Sequence, residues 1–393
     1  MKDILERFIQ CESNLAEKDY TFQFYKIRRE QDDLRLADGY SCSTGMKASY
    51  HQKNRYRDII PYDKNRVRLR STDCDELKKE NDENGDYINA SFIQVPPADA
   101  VYIAAQAPLS STLNDWFQLI RENNIDVVVM LCNLVELGKQ KCERYWPDVE
   151  GKEELFGQTR VTLLKEHIFT EYCRRDLRLQ YSDGVERNLI QLHYSEWPDH
   201  GCPQTETHVL EMISLFDKLH YEQPRNPVLI HCSAGCGRTG TIIAANVVRE
   251  LINSKNLTSD LDLCQLVIEL RKQRASMVQT PDQYRFLHKL VVHFCSDVLR
   301  DMNGECENST NHLEGTSSIK SAAENDNSSS SNVPPTEDAT VAGETSKEDS
   351  IDSPHSFDSS AIPVIPVYPD EPLHLKPYES EIPPWDERNT VAS

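Results

Sequence analysis

One stretch constrains this chain more than any other: His231-Cys232-Ser233-Ala234-Gly235-Cys236-Gly237-Arg238-Thr239-Gly240, set between an apolar run, Val228-Leu229-Ile230, and a helical pattern that begins at Thr241. Strand, glycine-rich loop and helix start in that order aim backbone N–H groups and a helix dipole at one point, which favours a dianion such as phosphate. Cys232 stands at the base of the loop. The field that holds phosphate also holds a thiolate, because a helix N-terminus and nearby positive charge bring a cysteine from about 8.5 down to roughly 3.5–7.5. Cys232 is therefore expected to be a charged nucleophile at neutral pH, with the amides of Ser233, Ala234, Gly235, Cys236 and Gly237 as the cradle. Arg238 adds a planar fork suited to two phosphate oxygens. A plain surface arginine would be out of place there, since the dipole disfavours a cation at a helix start. Specifying His-Cys-x-x-Gly-x-Gly-Arg lowers the chance expectation to roughly one in 10⁵ for a chain of this length.

Charge divides the chain. Net charge is −21 over 393 residues, and residues 301–393 hold 19 acidic against 4 basic side chains, leaving 45 against 39 in residues 1–300. The acidic part carries few aromatics and runs of Ser, Asn, Glu, Thr and Pro, so it buries too little apolar surface to offset ordering entropy. Residues 303–393 are read as a disordered Ser/Pro/Glu-rich tail, and 1–302 as one catalytic domain. Twelve cysteines run from Cys11 to Cys306 without a Cys-x-x-Cys pair, and the N-terminus has no apolar h-region, which predicts free thiols in a reducing compartment. Apolar runs such as Val127 to Cys132 are too short to cross a bilayer. A soluble cytoplasmic monomer is expected, with nuclear entry left open. The acidic balance argues against nucleic acid as partner.

Periodicity predicts two short helices within residues 1–35, with Ile4, Phe8, Leu15, Phe22 and Tyr25 as their apolar positions. Strands are predicted at Val101–Ala105, Asp126–Cys132, Gln158–Leu164 and Asn188–Tyr194. Helices are predicted at Leu113–Asn123, Glu206–Leu219, Thr241–Asn253, Leu261–Arg271 and Pro281–Leu299. The mixture implies an α/β fold whose mixed sheet carries the 231–238 loop at a strand's carboxyl end, where such folds bind ligands.

A cysteine attacking a phosphate ester needs an acid for the departing oxygen, and Trp197-Pro198-Asp199-His200-Gly201 offers Asp199 between Pro and Gly. Alone, Asp199 reads as a turn or cap acid. The loop and this pentapeptide together resemble the signature of the cysteine-dependent protein tyrosine phosphatases. Cys236, after the second small residue, is similar to the PEST-type non-receptor subgroup. Further segments match in the family's order: Lys53 to Asp63, Asp86 to Ser91, Tyr102 to Leu109, Glu136, Lys141 to Pro147 and Gln279 to Phe286. Two positions depart from the pattern: Ala107 stands where the family usually has Gly, and Trp116-Phe117 inverts the usual order.

The resemblance implies a central twisted mixed sheet flanked by helices and hydrolysis of protein phosphotyrosine through a phosphocysteine in signalling, with no metal or cofactor. It implies that Asp199 rides a mobile flap, protonates the phenolate and then activates water. It makes Tyr56 the ring that walls a deep pocket, which taken alone would be a packing aromatic, and gives Asp58 to the substrate's backbone amides. Gln279 falls near the hydrolytic water, Gln283 in the substrate pocket, Glu136 against Arg238 and Lys141 against the closed acid loop. Thr239 keeps two readings, donor to the leaving sulfur or helix cap, and His231 two, orienting the loop or filling the core. Cys236 is an ordinary small residue or a trap for an oxidised Cys232. In the tail, Ser353 before Pro354 is a phosphorylation candidate. Pro384 to Arg388 loosely resembles the subgroup's partner-binding motif, so adaptor domains are a possible tail partner. A dual-specificity or lipid phosphatase would share the loop but not the Tyr56 segment, and a binding scaffold would lack Cys232 or Asp199.

Overall fold

The computed structural model describes residues 1–70, 85–198, 201–222 and 226–304. Asp199 and the tail from residue 305 onward lie outside the described residues, so the readings placed on Asp199, Ser353 and Pro384 to Arg388 have no structural counterpart here. The chain divides into two units, Met1–Ser318 and Ile319–Ser393, and everything below concerns the first.

Among the described residues nine strands form one sheet, in the spatial order β1 (Arg66–Arg68), β2 (Tyr87–Ile93), β3 (Tyr102–Gln106), β11 (Val228–Cys232), β4 (Val127–Met130), β10 (Glu186–Tyr194), β9 (Tyr172–Gln180), β8 (Thr159–Ile168) and β7 (Glu153–Phe156). The four central strands, β3, β11, β4 and β10, run parallel, and the flanking pairs are antiparallel. Every residue of β3, β11 and β4 is buried. That suits their continuous Val, Ile, Leu and Ala, because central parallel strands are covered on both faces. The strand β9 is absent from the sequence prediction. Its core reads Arg174-Arg175-Asp176, and those charges conceal the pattern. In the sheet Arg174 bonds Asp176 Oδ1 at 2.8 Å and Arg175 pairs with Glu166 at 2.6 Å while its guanidinium lies over Trp146.

Helices α1 (Lys2–Asn14) and α2 (Glu17–Leu34) pack against α6 (Leu263–Arg271) and α7 (Pro281–Met302). The packed face of α1 is the expected one, with Phe8 buried, Ile4 packed against the core and Leu5 beside them, whereas in α2 Phe24 and Ile27 are buried while Phe22 and Tyr25 face water, because both pairs are three residues apart and the spacing alone does not choose between them. The remaining helices are α3 (Leu113–Glu122), α4 (Thr207–Glu222) and α5 (Gly237–Asn253). The helix α5 starts four residues earlier than predicted, at Gly237, so Arg238 and Thr239 sit in its first turn. Gly-Arg-Thr-Gly is a poor helix former by propensity. Tertiary closeness explains it: a Cβ on Gly240 would lie 2.5 Å from the Val278 nitrogen and 2.9 Å from Met277 Cα.

Candidate active site

The strand β11 ends at Cys232, and the chain turns through Ser233 to Cys236 into α5. The turn depends on Gly235, whose φ is +69° and whose missing Cβ would overlap the Ala105 carbonyl on the adjacent strand. This conformation points the loop amides inward, and Gly235 N donates to Cys232 Sγ at 3.3 Å. The loop carbonyls point the other way, where a fully buried Arg274 collects them: Nε bonds Gly235 O at 2.7 Å and Nη2 bonds Ala234 O at 2.9 Å. The same guanidinium reaches Asn89 Oδ1 at 2.8 Å and Ser91 Oγ at 3.2 Å on β2. Arg274 therefore holds the cradle inside out. The sequence gives little sign of this, since a lone arginine near a helix end reads as solvent-exposed.

Burial by itself would push the Cys232 thiol up. The Thr239 hydroxyl, the Arg238 guanidinium and the amides of Thr239 and Cys236 outweigh it and hold the thiol below its ordinary value. Thr239 is fully buried and its hydroxyl bonds no other protein group. Cys236 goes the opposite way, its thiol pushed up to about 12 by burial and by the neighbouring Cys232 charge. Two cysteines four residues apart thus have opposite characters.

Arg238 donates in bidentate fashion to Glu136, at 2.6 and 3.0 Å, and to the carbonyls of Leu131 at 2.9 Å and Pro198 at 3.0 Å. Burial opposes its charge, but the Glu136 carboxylate raises its pKa further above the usual range. Glu136 also accepts the Asn133 amide at 3.0 Å, and Lys141 Nζ lies 3.9 Å from its other oxygen. His231 is fully buried and held neutral, its pKa lowered to about 3 by desolvation. Its ring bonds the Tyr145 hydroxyl at 2.9 Å and the Cys232 carbonyl at 3.2 Å. It therefore touches the nucleophile's backbone, and Trp116, inverted relative to the family pattern, packs edge-on against the same ring.

A cavity of about 570 Å³ opens above the sulfur, with Cys232, Arg238 and the loop at its base. The half-buried Tyr56 forms a wall, its hydroxyl 2.9 Å from Ser233 Oγ, and Ser233 donates on to the Lys141 carbonyl at 3.1 Å. Asp58, Lys141, Gln279 and Gln283 also line it. Gln283 is fixed by accepting the Gln279 amide at 2.8 Å, at the start of α7, where Thr280 caps the helix and Pro281 follows. The Trp197 indole is buried against Phe286 and donates to the Gly201 carbonyl at 3.2 Å. The structure thus brings together around one cavity Tyr56, Asp58, Glu136, Lys141, Cys232, Ser233, Ala234, Gly237, Arg238, Gln279 and Gln283, whereas Gly235 and the fully buried Cys236, also expected there, do not line it because the turn folds them under the loop. Thr239 and His231 lie behind the loop. Besides Arg274, sequence reasoning missed Arg271, which is buried and donates to the carbonyls of Met277 at 3.0 Å and Val278 at 2.8 Å, just ahead of Gln279.

Comparison with known proteins agrees with this geometry. The family model described as protein-tyrosine phosphatase matches residues 50–293. Human tyrosine-protein phosphatase non-receptor type 12 is 36% identical over 296 residues, covering 74% of this chain and 37% of that protein. The mouse non-receptor type 18 enzyme is 39% identical over 270 residues, covering 68% and 57% respectively. The chain thus spans only about 37% to 57% of the length of these relatives. The solved catalytic domain of human protein tyrosine phosphatase non-receptor type 18 superposes with a TM-score of 0.65 at 34% identity, covering 73% of this chain and 99% of that domain. With the phosphate cradle, the low-pKa cysteine and these similarities in place, the chain belongs to the protein-tyrosine phosphatase family, with PEST-type non-receptor members among its relatives.

Proposed function

We propose that this protein hydrolyses phosphotyrosine in proteins, acting in signalling, and does so through a phosphocysteine formed on Cys232. The observation that carries the reading is the Cys232 sulfur, held below its ordinary thiol pKa under the Arg238–Glu136 pair at the base of a cavity walled by Tyr56. In the first step the thiolate attacks phosphorus, the bond to the tyrosine oxygen breaks, and Asp199 gives its proton to the departing phenolate. In the second, water oriented by Gln279 attacks phosphorus, Asp199 takes its proton, and the sulfur leaves as thiolate, stabilised by Thr239. Arg238 and the loop amides hold the equatorial oxygens in both steps. Tyr56 sets the depth, so a short phosphoserine side chain falls short of the sulfur, and Asp58 binds the substrate's main chain.

The same reading assigns 1–302 to the catalytic domain and 303–393 to an acidic tail in which Pro384 to Arg388 docks an adaptor domain. It places the protein in the cytoplasm as a monomer. Among the described residues no helix is long and apolar enough to cross a membrane. Turnover by the full chain on phosphotyrosyl, phosphoseryl and phosphoinositide substrates, with Cys232→Ser as control, tests the activity. Preference for phosphotyrosine and loss in the variant are expected. Equal rates on the three would point to a broader phosphatase, and no turnover by the unsubstituted chain would leave a binding scaffold. A peptide spanning 375–393 should retain adaptor domains that a scrambled peptide does not.

A further inference from the structure

The chain leaves β4 through Leu131-Cys132-Asn133-Leu134 and enters a hairpin of β5 (Val135–Glu136) and β6 (Lys139–Gln140). Backbone groups of this connection serve the site directly. The Leu131 carbonyl accepts Arg238 Nη1 at 2.9 Å, the Leu131 amide donates to the His231 carbonyl at 2.9 Å, and the Asn133 amide donates to Glu136 Oε1 at 3.0 Å. The Asn133 side chain reaches elsewhere. An asparagine in a turn ordinarily bonds backbone close to itself, whereas Asn133 Nδ2 donates to the Ser195 carbonyl at 2.8 Å, 62 residues away in sequence.

Ser195 is the first residue past β10, and in sequence Glu196, Trp197 and Pro198 lead from it to Asp199. The Ser195 amide is held as well, by the Glu171 carbonyl at 3.2 Å. Three residues on, the Pro198 carbonyl accepts Arg238 Nη2 at 3.0 Å. The two donors, Asn133 and Arg238, are themselves fixed by one carboxylate, since Glu136 takes the Asn133 amide and the guanidinium fork together. Glu136 is buried, so water competes little for its bonds. The stretch from Ser195 to Pro198 is therefore tied at both ends to the group that faces the phosphate.

We infer that Asn133 is a positioning residue for proton transfer to the leaving group. It acts through the Ser195 carbonyl, which fixes where the chain that runs on to the acid stands against Arg238. The inference rests on the reading of Asp199 as that acid. Proton transfer tolerates little error, because donor and acceptor must come within about 2.6–3.2 Å and a displacement of about 1 Å costs on the order of a hundredfold. Attack by Cys232 and binding of the phosphate oxygens do not pass through Ser195. Arg238 keeps its fork on Glu136 when the Asn133 side chain is gone, because Glu136 takes the backbone N–H of Asn133 and not its side chain. The loss falls on esters whose leaving oxygen needs a proton and spares those whose leaving group departs as a stable anion.

The test uses the full chain and compares kcat/KM on phenyl phosphate, whose phenol has a pKa of about 10 as in tyrosine, with kcat/KM on 4-nitrophenyl phosphate, whose nitrophenolate leaves unprotonated. The measured quantity is the phenyl-to-nitrophenyl ratio, in which any effect on folding or phosphate binding cancels. Asn133→Ala and Asn133→Leu both remove the side-chain donor, and the second keeps its bulk. Each should lower the ratio by about three- to tenfold, the range one hydrogen bond supplies, and leave inhibition by inorganic phosphate unchanged. Asp199→Ala should lower the ratio by about a hundredfold or more. A ratio unchanged in the Asn133 variants but lowered in Asp199→Ala would overturn the inference. Weaker inhibition by phosphate in step with the lost activity would overturn it too, since Asn133 would then support Arg238 alone. An unchanged ratio in Asp199→Ala would instead sink the assignment of Asp199 as the acid.

Discussion

Replacing Thr239 by Val removes one hydroxyl and keeps the shape of the side chain. Because that hydroxyl is fully buried and bonds no protein group besides the sulfur it faces, the change costs the fold no other hydrogen bond. A hydrogen bond to a charged group contributes ~1.5–3 kcal/mol, and ~1.36 kcal/mol is a tenfold change in an ionisation equilibrium. Thr239→Val should therefore leave about ten- to hundredfold less thiolate at any pH below the titration midpoint. The consequence for stability has a definite sign. Burial favours the neutral thiol, yet Thr239, Arg238 and the loop amides win, so the native thiol ionises at lower pH than the unfolded one. Between those two midpoints the unfolded chain binds more protons, and stability rises with pH. The contribution is complete above the unfolded value and is lost as pH falls through the native one. The variant should narrow that window from below. Alkylation of Cys232 by iodoacetamide across pH, read by peptide mass, gives the thiolate fraction, and urea midpoints across the same pH range give the stability. An alkylation profile identical to that of the unsubstituted chain would refute the assignment of Thr239 as a donor to the sulfur.

Four further outcomes follow from the same geometry. Arg274→Lys keeps the charge but cannot fork between the Gly235 and Ala234 carbonyls, so kcat/KM should fall by about a hundredfold as the cradle loosens; steady-state kinetics on an aryl phosphate checks it. Gly240→Ala places a methyl against the Val278 and Met277 backbone and should destabilise by ~1–3 kcal/mol in chemical denaturation. His231→Gln should lower activity without altering the shape of the pH–rate profile between about pH 5 and 8, because the ring is already neutral there. Cys236→Ala should leave the alkylation profile of Cys232 nearly unchanged, since a thiol pushed up to about 12 carries no charge at neutral pH to oppose its neighbour.

What could be read along the chain was whatever depends on neighbours in sequence. Val228 to Gly240 is contiguous, so its order alone implied a strand, an amide cradle and a helix dipole converging on one sulfur. The apolar runs of β3 and β4 and the mixed pattern of β10 were equally plain. The strand β9 was hidden because its charged core finds its partners only once the sheet forms, Arg174 with Asp176 along the same strand and Arg175 with Glu166 on β8, and the buried face of α2 was hidden because only the helices packed against it fix its rotation. Arg274 and Arg271 are the sharper cases. Each spends a buried guanidinium on carbonyls that its own segment or a distant loop turns toward it, and their roles do not exist until the sheet, α5 and α6 have closed around them. Sequence alone determined which atoms could react, since identity and local order set the nucleophile and its cradle. Tertiary structure decided how firmly they are held and what stands around them, because burial strips away water and leaves each charge only the partners that folding brings to it.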